Sequence, residues 1–442
     1  MLQQILDLHI HSKYSRACSK DLELPHIAQA CMVRGIDIVA TGDFTHPKWF
    51  DHIKESLAED NEGIYKLRGT RNREQRTGNV RFIIGTELSC IKKHKEKTRR
   101  IHHCIFAPSI EVAEKFNSRL GNMGFNLRSD GRPILGLTSK QLLEIMLETD
   151  ERMVMIPAHA WTPWFGIFGS KGGYSSLEEA FEELTPYITA IETGLSSDPV
   201  MNWRWSALDT ITLVSNSDAH SCAKLGREAN VMQFDSEKEI TYANIFKIIK
   251  ESSHMKLRDR DHAVNKFLYT IEFYPEEGKY HYDGHRDCKF SCSPEETKKY
   301  NGVCPKCKKP LTIGVENRVH ELSDRTTEEA HALSNKKIPY KSLVPLPEII
   351  ADVLECGVNT KQVKEIYDGL IKKIGNEFHI LISSSIDEIE KASSKDVVRA
   401  IERVRSGHIY VQPGYDGEFG VVKVFQEHED RGKPRQIGLE LD

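Results

Sequence analysis

The 442-residue chain has no apolar run long enough to cross a membrane and no charged leader followed by an apolar stretch. We therefore expect a cytoplasmic protein without a membrane partner. The chain also lacks a large excess of positive charge. Its formal net charge of −4 disfavours a uniformly basic nucleic-acid-binding protein. Without a secretory leader, the ten cysteines are expected to be free thiols and metal ligands rather than disulfides.

What the sequence does contain is a set of His, Asp and Glu residues at the ends of apolar runs. Side chains at i and i+2 of a strand point the same way, so an H-x-H or D-x-H pair can offer two ligands to one metal cluster. Imidazole and carboxylate together suit zinc, manganese or iron. One such residue alone would more simply be a hydrogen-bonded cap, but five strand ends of this kind predict a multi-metal hydrolase site. The residues are His9, His11, Asp43, Glu87, His159, Asp218 and His220.

Short apolar runs alternate with helix-like stretches from residue 1 to about residue 256. This alternation is typical of parallel βαβ units and predicts an α/β fold. Seven such runs favour a barrel over an open sheet, and in barrels function sits at the C-terminal ends of the strands. The ligand-type residues fall at those ends. The polar stretch 58–78 is expected to be a surface insertion.

A basic run, residues 92–100, lies in the sequence between Glu87 and a pair of histidines, His102 and His103. Such a run is often only a solvated loop. Beside a metal site, however, it could hold a phosphate backbone. The candidate side chains are Lys92, Lys93 and Lys95.

Four cysteines in the second half form a zinc-ribbon pattern, C-x3-C-x11-C-x2-C. Thiolates at these spacings form two knuckles that close a tetrahedral site. We expect a structural zinc, because so small a segment needs a metal to fold. The expected ligands are Cys288, Cys292, Cys304 and Cys307. The predicted domains are a metal-dependent barrel (1–256), a zinc-ribbon domain (257–335) and a mostly helical C-terminal domain (336–442).

The first 255 or so residues resemble the polymerase-and-histidinol-phosphatase (PHP) superfamily. The segments that carry the resemblance are Asp-Leu-His-Ile-His-Ser at 7–12, Gly-Thr-Glu at 85–87, Pro-Ala-His at 157–159 and Asn-Ser-Asp-Ala-His at 216–220. The resemblance implies a distorted seven-stranded βα barrel that holds up to three metals. Two metals about 3.5–4 Å apart lower the pKa of a bridging water and stabilise an in-line phosphoryl displacement.

The same resemblance implies a ligand set. The first metal would be bound by His9, His11, Glu87 and Asp218, which are also the expected catalytic residues. The second would have Glu87 as a bridge, with His159 and one of two neighbours: we expect His103, with His102 as the alternative. The third would be bound by His220 with a residue near the Thr-Gly-Asp-Phe-Thr-His segment at 41–46, where we expect Asp43 and keep His46 as the alternative.

A closer resemblance, to the endonuclease Q family, covers nearly the whole chain. It is carried by residues 41–49, 157–166, 192–199 and 282–286, followed by the four cysteines. That family combines a PHP barrel, a zinc ribbon and a helical C-terminal domain. The resemblance implies a DNA repair endonuclease that cuts double-stranded DNA 5′ to deaminated bases (hypoxanthine, uracil, xanthine) and abasic sites. It also implies zinc in the cluster and the ribbon, with Mg²⁺ or Mn²⁺ for activity.

An aromatic segment directly follows His159. An enzyme that inspects a base takes it out of the stack. Aromatic rings can then hold it, with stacking that contributes about 1–3 kcal/mol per base. A hydrophobic loop packed on the barrel rim is the alternative interpretation. The candidate pocket residues are Trp161, Trp164, Phe165 and Phe168, with Gly194 and Ser196 from the segment expected to face them.

Two other functions remain open: a small-molecule phosphomonoesterase of the histidinol-phosphatase kind, and a DNA-binding or scaffold protein with an inactive PHP domain. The zinc ribbon, the helical C-terminal part and the basic run favour a polymeric substrate, and the complete set of ligands favours an enzyme. Residues 436–439 are weakly similar to a sliding-clamp-binding peptide. No aromatic pair follows them, so we interpret them as an ordinary tail and a clamp as a weak candidate partner.

Overall fold

The computed structural model of the protein describes residues 1–69, 80–254 and 262–426. Strands and helices alternate through the first half, and helices dominate the stretch from 346 to 405. The strands are β1 (Leu2–Asp7), β2 (Ile38–Ala40), β3 (Leu57–Asn61), β4 (Ile64–Leu67), β5 (Arg81–Ile83), β6 (Gly85–His94), β7 (Lys97–Phe106), β8 (Ile134–Leu135), β9 (Val154–Pro157), β10 (Ala190–Glu192), β11 (Thr212–Val214), β12 (Ala229–Phe234), β13 (Lys266–Glu272), β14 (Asp283–His285), β15 (Phe290–Cys292), β16 (Tyr340–Ser342), β17 (Tyr410–Gln412) and β18 (Val421–Lys423). The α-helices are α1 (Leu24–Arg34), α2 (Pro47–Ser56), α3 (Ile110–Asn122), α4 (Ser139–Thr149), α5 (Leu177–Phe181), α6 (Pro199–Trp203), α7 (Tyr242–Ser252), α8 (Pro294–Lys299), α9 (Val315–Leu322), α10 (Thr327–His331), α11 (Leu346–Val353), α12 (Lys361–Lys373), α13 (Ile386–Ala392) and α14 (Lys395–Arg405).

The mixed α/β class predicted from the sequence is confirmed. An eight-stranded sheet runs in the order β16-β13-β12-β1-β2-β5-β4-β3, and a four-stranded sheet in the order β8-β6-β7-β9. Strands β1, β2 and β5 are parallel, as are β10 and β11. Helices separate these parallel strands in the chain, as the alternation of apolar runs and helical stretches predicts.

Backbone hydrogen bonds connect seven of these strands one after another. Strand β5 is joined to β7 just beyond its end, where Ala107 donates to the carbonyl of Ile84 (3.0 Å). Strand β7 pairs with β9, and Ala160 beyond β9 donates to Glu192 in β10 (3.0 Å). Strand β11, the neighbour of β10, then meets β1 at a bridge just beyond both strands. The ends of these strands therefore come together at one place.

The long antiparallel hairpin of β6 and β7 departs from the predicted parallel pattern. Its strands pair from Gly85–Phe106 to His94–Lys97. The two residues between them, Lys95 and Glu96, both have positive φ (49° and 66°), as a type I′ turn requires. Asn and Gly favour that turn, and neither is present, so the sequence gives little sign of the hairpin.

Strands from outside the predicted first domain complete the large sheet. Strand β13 pairs antiparallel with β12, and β16 pairs parallel with β13, although both follow residue 256. At the other edge, β3 and β4 form a hairpin inside the stretch predicted to be a surface insertion. The part of that insertion from 70 to 78 lies outside the described residues.

Apolar side chains form two large buried clusters. The smaller one extends to β12 and α7, and many of its members come from β1, β2, β5, β7, β9, β10, β11 and their ends: Leu6, Leu8, Ile38, Ala40, Ile83, Phe106, Ile156, Ala158, Ala190 and Val214. Helix α1 contributes to the larger cluster, and it begins with a proline in its first turn and ends at Gly35 in the left-handed conformation. Burial of such faces is the main favourable contribution to folding.

The last helices pack against the first one through a buried ion pair. Arg34 of α1 bonds the carboxylate of Glu377, which also accepts hydrogen bonds from the Leu346 backbone (2.8 Å) and the Tyr367 hydroxyl (2.8 Å). A buried charge pair needs such additional partners. Within the ranges that the structure describes, no helix has the length and apolar character of a membrane span.

Candidate metal centre and cleft

Glu87, the third residue of β6, lies at the centre of the site. The side chain is fully buried, and its Oε2 lies 3.3 Å from His11 Nε2 and 3.6 Å from His9 Nε2. Its Oε1 lies 2.8 Å from His102 Nδ1 and 3.1 Å from His159 Nε2. Each oxygen of one carboxylate therefore faces a different pair of imidazoles, which is the arrangement of a bridging ligand.

These side chains form two groups of potential metal ligands that share Glu87. In each group the ligand atoms lie within 4.8 Å of one another. The buried Nε2 of His9 has no hydrogen-bond partner within the described part of the chain, as expected for an atom that binds a metal. The donor set, imidazole and carboxylate, suits the metals predicted from the sequence. One group is His9, His11, Glu87 and Asp218, and the other is Glu87, His102 and His159.

Buried carboxylates orient the two histidines of the first group. His9 Nδ1 lies 3.1 Å from both oxygens of Glu192, and His11 Nδ1 lies 3.0 Å from Asp43 Oδ1. An Nδ1–H that donates to a carboxylate leaves the Nε2 lone pair free for a metal and raises the basicity of the ring. Sequence reasoning missed Glu192, although it ends an apolar run in the same way as Glu87.

Asp43 is an orienting residue, and it lies in none of the ligand groups within the described residues, contrary to the prediction. Besides His11, its carboxylate accepts bonds from the Ser12 backbone (2.7 Å), the Ser12 hydroxyl (2.6 Å) and the Ser15 hydroxyl (2.9 Å). The alternative, His46, stacks on Tyr14 with ring centroids 4.3 Å apart. No group that contains Asp43, His46 or His220 forms in the ranges that the structure covers, and the further buried group beside the site consists of His9, Cys104 and Glu192.

His220 does reach the site, but as a neighbour of the first group. Its ring lies 4.6 Å from the ring of His11, and its Nδ1 lies 2.8 Å from the backbone carbonyl of Asp218. A third of its side chain is exposed to the cleft. His220 therefore lies beside the predicted ligands, and within the described residues it belongs to no ligand group.

His102 takes the position at Glu87 that we expected for His103. Successive residues of a strand point to opposite faces, so only one of the two can reach the site. His103 Nε2 lies 2.8 Å from the hydroxyl of Ser139, at the start of α4, and burial lowers its pKa to about 3. The alternative residue of the pair is therefore the one that belongs to the candidate site.

Opposite charges fix the protonation of the site. Burial opposes ionisation of Glu87, but the permanently charged Arg132 beside it lowers its pKa well below the ordinary value. Burial lowers the pKa of His102 to about 4 despite the nearby carboxylate, so its ring is neutral at pH 7. Burial also disfavours the charged forms of His9 and His11, yet the surrounding carboxylates raise their pKa values. Protonation of these two rings therefore competes with metal binding.

The cleft above the ligands has a volume of about 490 Å³ and opens to solvent. Asp218, His102 and His159 lie on its floor. Its walls include residues that sequence reasoning missed, on the loop between α3 and β8. An Asp-Gly turn between two arginines, at 128–132, was the available signal. The lining residues of this loop are Asn126, Ser129, Asp130 and Arg132.

Two of the four predicted pocket aromatics lie in the core instead of the cleft. Trp161 and Phe168 are fully buried and pack on each other with ring centroids 5.1 Å apart. The indole N–H of Trp161 donates to Asn202 Oδ1 (2.7 Å). These rings are inaccessible to a base because the segment folds back over the end of β9, with Gly166 and Gly169 against neighbouring backbone.

The other two aromatics do line the cleft. Trp164 is 39% exposed and meets Tyr280 edge-on, with ring centroids 5.0 Å apart. The Phe165 ring stacks on His102 at 4.2 Å. A flat, partly exposed ring surface thus begins at the metal ligands and extends outward.

Gly194 and Ser196 have different positions. Gly194 has φ +60°, and a Cβ there would lie 2.6 Å from the Cβ of His159. It therefore permits close packing beneath a ligand, which is a structural role and not contact with a base. Ser196, two residues on, is half-buried.

The basic run lies at the tip of the β6–β7 hairpin and not beside the ligands. Five residues of strand separate Lys92 from Glu87, which corresponds to about 17 Å. Lys92 contacts Gln141 of α4 (2.8 Å), Lys93 pairs with Glu96 (3.1 Å), and Lys95 donates to the backbone of Glu179 (3.1 Å). Contact of these lysines with phosphates stays a prediction.

The segment predicted to be a zinc ribbon has a four-ligand group, but one ligand differs from the prediction. The group consists of His285, Cys288, Cys304 and Cys307. Cys292 lies outside it, with its sulfur 3.2 Å from the Thr297 hydroxyl. His285 ends β14 and enters the turn before Cys288, so H-x2-C forms one knuckle and C-x2-C the other. Three thiolates and one imidazole suit zinc.

Comparison with known proteins gives matches to parts of the chain and to all of it. The family described as MJ0043 C-terminal domain matches residues 345–408, which contain α11 to α14. Protein MJ0043 of Methanocaldococcus jannaschii is 34% identical over 268 residues, 60% of this chain but only 31% of that protein. Protein YqxK of Bacillus subtilis is 27% identical over 439 residues, 94% of this chain and 98% of that protein.

Two crystal structures match the chain over nearly its whole length. The lesion-specific endonuclease PfuEndoQ from Pyrococcus furiosus has a TM-score of 0.81 and 29% identity, with 99% of this chain and 98% of that chain covered. Endonuclease Q in complex with a 27-mer duplex substrate, which has an abasic lesion at the active site, has a TM-score of 0.78 and 29% identity, with 96% and 98% covered. These matches define a mixed α/β fold of a kind known from endonucleases. The resemblance to the endonuclease Q family predicted from the sequence is confirmed.

Proposed function

We propose that this protein is a metal-dependent endonuclease that cuts double-stranded DNA beside damaged nucleotides. The observation that carries the proposal is Glu87, whose two oxygens face separate ligand groups on the floor of an open cleft. The solved structures of the same fold are of a lesion-specific endonuclease and of endonuclease Q bound to a duplex with an abasic lesion. This relationship supports a phosphodiester of damaged DNA as the substrate.

The proposed architecture is a PHP barrel, a zinc ribbon and a helical C-terminal domain, at the predicted boundaries. The seven strands connected by hydrogen bonds support the barrel, since they bring their ends together at the cleft. The His285 group supports the ribbon. Strands β13 and β16 would then connect the second and third domains to the sheet of the first.

The proposed centre would hold two ions, one at each of the two ligand groups that share Glu87. Bound there, a pair of divalent ions lowers the pKa of a water molecule and stabilises the attacking and leaving oxygens of a phosphoryl displacement. The protein keeps Glu87 charged and orients His9 and His11 through Glu192 and Asp43. We propose zinc in the cluster and ribbon, and Mg²⁺ or Mn²⁺ for activity.

We further propose that the cut lies 5′ to the lesion, and that hypoxanthine, uracil, xanthine and abasic sites are all substrates. Extrusion of a nucleotide costs a few kcal/mol, and least where pairing is already weak. The exposed face of Trp164, beside Phe165 and Tyr280, supports a place for the extruded nucleotide at the mouth of the cleft. Stacking on such a ring contributes about 1–3 kcal/mol per base.

One panel of substrates tests the proposal. An end-labelled duplex would carry one deoxyinosine, one tetrahydrofuran abasic analogue or no lesion, and a chromogenic phosphomonoester would be assayed beside it. We expect single cuts 5′ to each lesion with Mg²⁺ or Mn²⁺, and none after addition of a chelator. Hydrolysis of the monoester alone would show a phosphatase and refute the endonuclease.

A further inference from the structure

The loop between α3 and β8 brings an arginine to the bridging carboxylate. Arg132 Nη1 lies 2.8 Å from Glu87 Oε2, the oxygen that faces His9 and His11. About a quarter of the Arg132 side chain is exposed, and it lines the cleft beside His159. A guanidinium group has five N–H donors, and this contact engages only one of its nitrogens.

The loop holds Arg132 through close backbone packing. The backbone N–H of Gly131 donates to the carbonyl of Tyr14 (3.0 Å). A Cβ on Gly131 would lie 2.3 Å from both the Asp43 carboxylate and the Ser15 hydroxyl. Only glycine permits this approach to the residue that orients His11. The arginine is therefore positioned by the same contacts that position a ligand.

The positive charge of Arg132 at the proposed metal centre indicates that the cleft binds an anion. A permanently charged guanidinium group lies where the proposed function requires divalent cations to bind Glu87. The positive charges of that site need a negatively charged group in the cleft, and a phosphodiester provides one. Arginine also matches the geometry of phosphate oxygens through two parallel hydrogen bonds.

We propose that Arg132 binds the phosphate of the bond that is cut and holds it against the Glu87 centre. This inference rests on the proposed endonuclease function and adds the residue that recognises the phosphate. Asp130, the neighbour of Arg132, accepts hydrogen bonds from the backbones of Arg16 (3.3 Å) and Arg132 (3.1 Å). The loop is thus also joined to Arg16, another residue that lines the cleft.

The test is a thermodynamic cycle on binding, measured by fluorescence anisotropy in an Asp218→Asn background that should not cleave. One duplex carries a single tetrahydrofuran analogue. A second is identical except that a methylphosphonate replaces the phosphate 5′ to the analogue and removes its charge. Arg132→Gln should weaken binding of the first duplex by about 10- to 100-fold, as for a hydrogen bond between charged groups. It should have little further effect on the second duplex.

Arg128→Gln is the matched control, because Arg128 is an exposed arginine of the same loop that does not line the cleft. It should weaken both duplexes alike. Arg132→Lys keeps the charge but lacks the paired donors. Its affinity for the first duplex should therefore lie between that of the parent and that of Arg132→Gln. Metal content and thermal unfolding of each variant should match those of the parent.

Equal losses on the two duplexes after Arg132→Gln would overturn the assignment of Arg132 alone. The assignment would also fail if Arg132→Gln lost metal while the methylphosphonate still weakened binding as much as it does in the parent. Arg132 would then support the metal cluster and not bind the phosphate. If the parent protein showed no preference for the lesion duplex over an undamaged one, the proposed function would fail and this inference with it.

Discussion

Among single residues, Glu87 determines what the centre can do. A carboxylate that faces two pairs of imidazoles can set a short distance between two ions, which no single-metal site requires. Its charge is stabilised by Arg132 although the side chain is fully buried. Burial of an unpaired carboxylate would otherwise be costly.

Trp164 allows the proposed nucleotide-binding part of the cleft to be tested. Trp164→Ala should reduce cleavage at deoxyinosine and deoxyuridine by about tenfold or more, and at an abasic analogue by less than about threefold, because an abasic site has no base to stack. Tyr187→Ala, at an exposed aromatic outside the cleft, serves as the control. Single-turnover rates would measure this. Equal losses on all three substrates would show that Trp164 only supports the rim.

Glu272 gives a prediction on pH and stability. Its side chain is fully buried, it accepts bonds from Thr193 (3.0 Å) and Ser215 (3.2 Å), and burial raises its pKa to about 7. Folding therefore favours the neutral acid. This contribution is complete below pH 4.5 or so and is lost as the pH rises through about 7.

Glu272→Gln should remove that pH dependence, since the amide stays neutral. The Tm of the variant should rise relative to that of wild type between pH 5 and pH 8. Thermal unfolding at both pH values would measure the difference. A difference in Tm that stays constant across this range would contradict the assigned pKa.

Among the elements, the β6–β7 hairpin explains most of what the sequence did not reveal. Residue types at strand ends were enough to predict Glu87 and His159. The choice between His102 and His103 depends on which face of β7 each side chain occupies. The sequence does not show this, because the hairpin turn at Lys95 lacks the Asn and Gly that would mark it. Pairing of β7 with β6 and β9, and not local sequence preference, determines which side chain faces the site.

The ribbon hairpin of β14 and β15 shows the same limit in a metal site. The cysteine spacing predicted a zinc site, but the fourth ligand depends on which side chain enters the knuckle. His285 does so, whereas Cys292 is buried against Cys304 and Leu311. A search for H-x2-C beside C-x2-C would have found it. Helix α1, by contrast, has local signals in the sequence at both ends, a proline in its first turn and Gly35 at its C-cap.

A matched pair of cysteine variants tests the ligand set of the ribbon. Cys304→Ser should lose one zinc per chain and lower the Tm, since structural zinc contributes directly to folding. Cys292→Ser should keep the zinc, because its sulfur contacts Thr297 instead. Metal analysis of both purified proteins decides the matter. Zinc loss from Cys292→Ser, with zinc retained in His285→Ala, would restore the four-cysteine set.

Across the whole molecule, charge and topology restrict how the proposed DNA substrate could bind. The net charge of −4 excludes attraction by overall charge, so contacts must be local. The strands bring ligands from widely separated parts of the chain to one cleft, and the ribbon supplies Tyr280 beside Trp164. The clamp-like tail at 436–439 lies outside the described residues, and a clamp finds no support in the comparisons.

The most direct test of the account is strand cutting by Asp218→Asn beside wild type on a duplex with one abasic analogue. The change removes one charge from the first ligand group and keeps the shape of the side chain. Nicking 5′ to the lesion should fall by at least about 1,000-fold, in line with the loss of several kcal/mol of transition-state stabilisation. Affinity for the duplex should stay within about threefold of wild type, since a metal ligand adds little to phosphate contacts made elsewhere. Substantial metal-dependent nicking by Asp218→Asn would contradict the assignment of this centre as the site of catalysis.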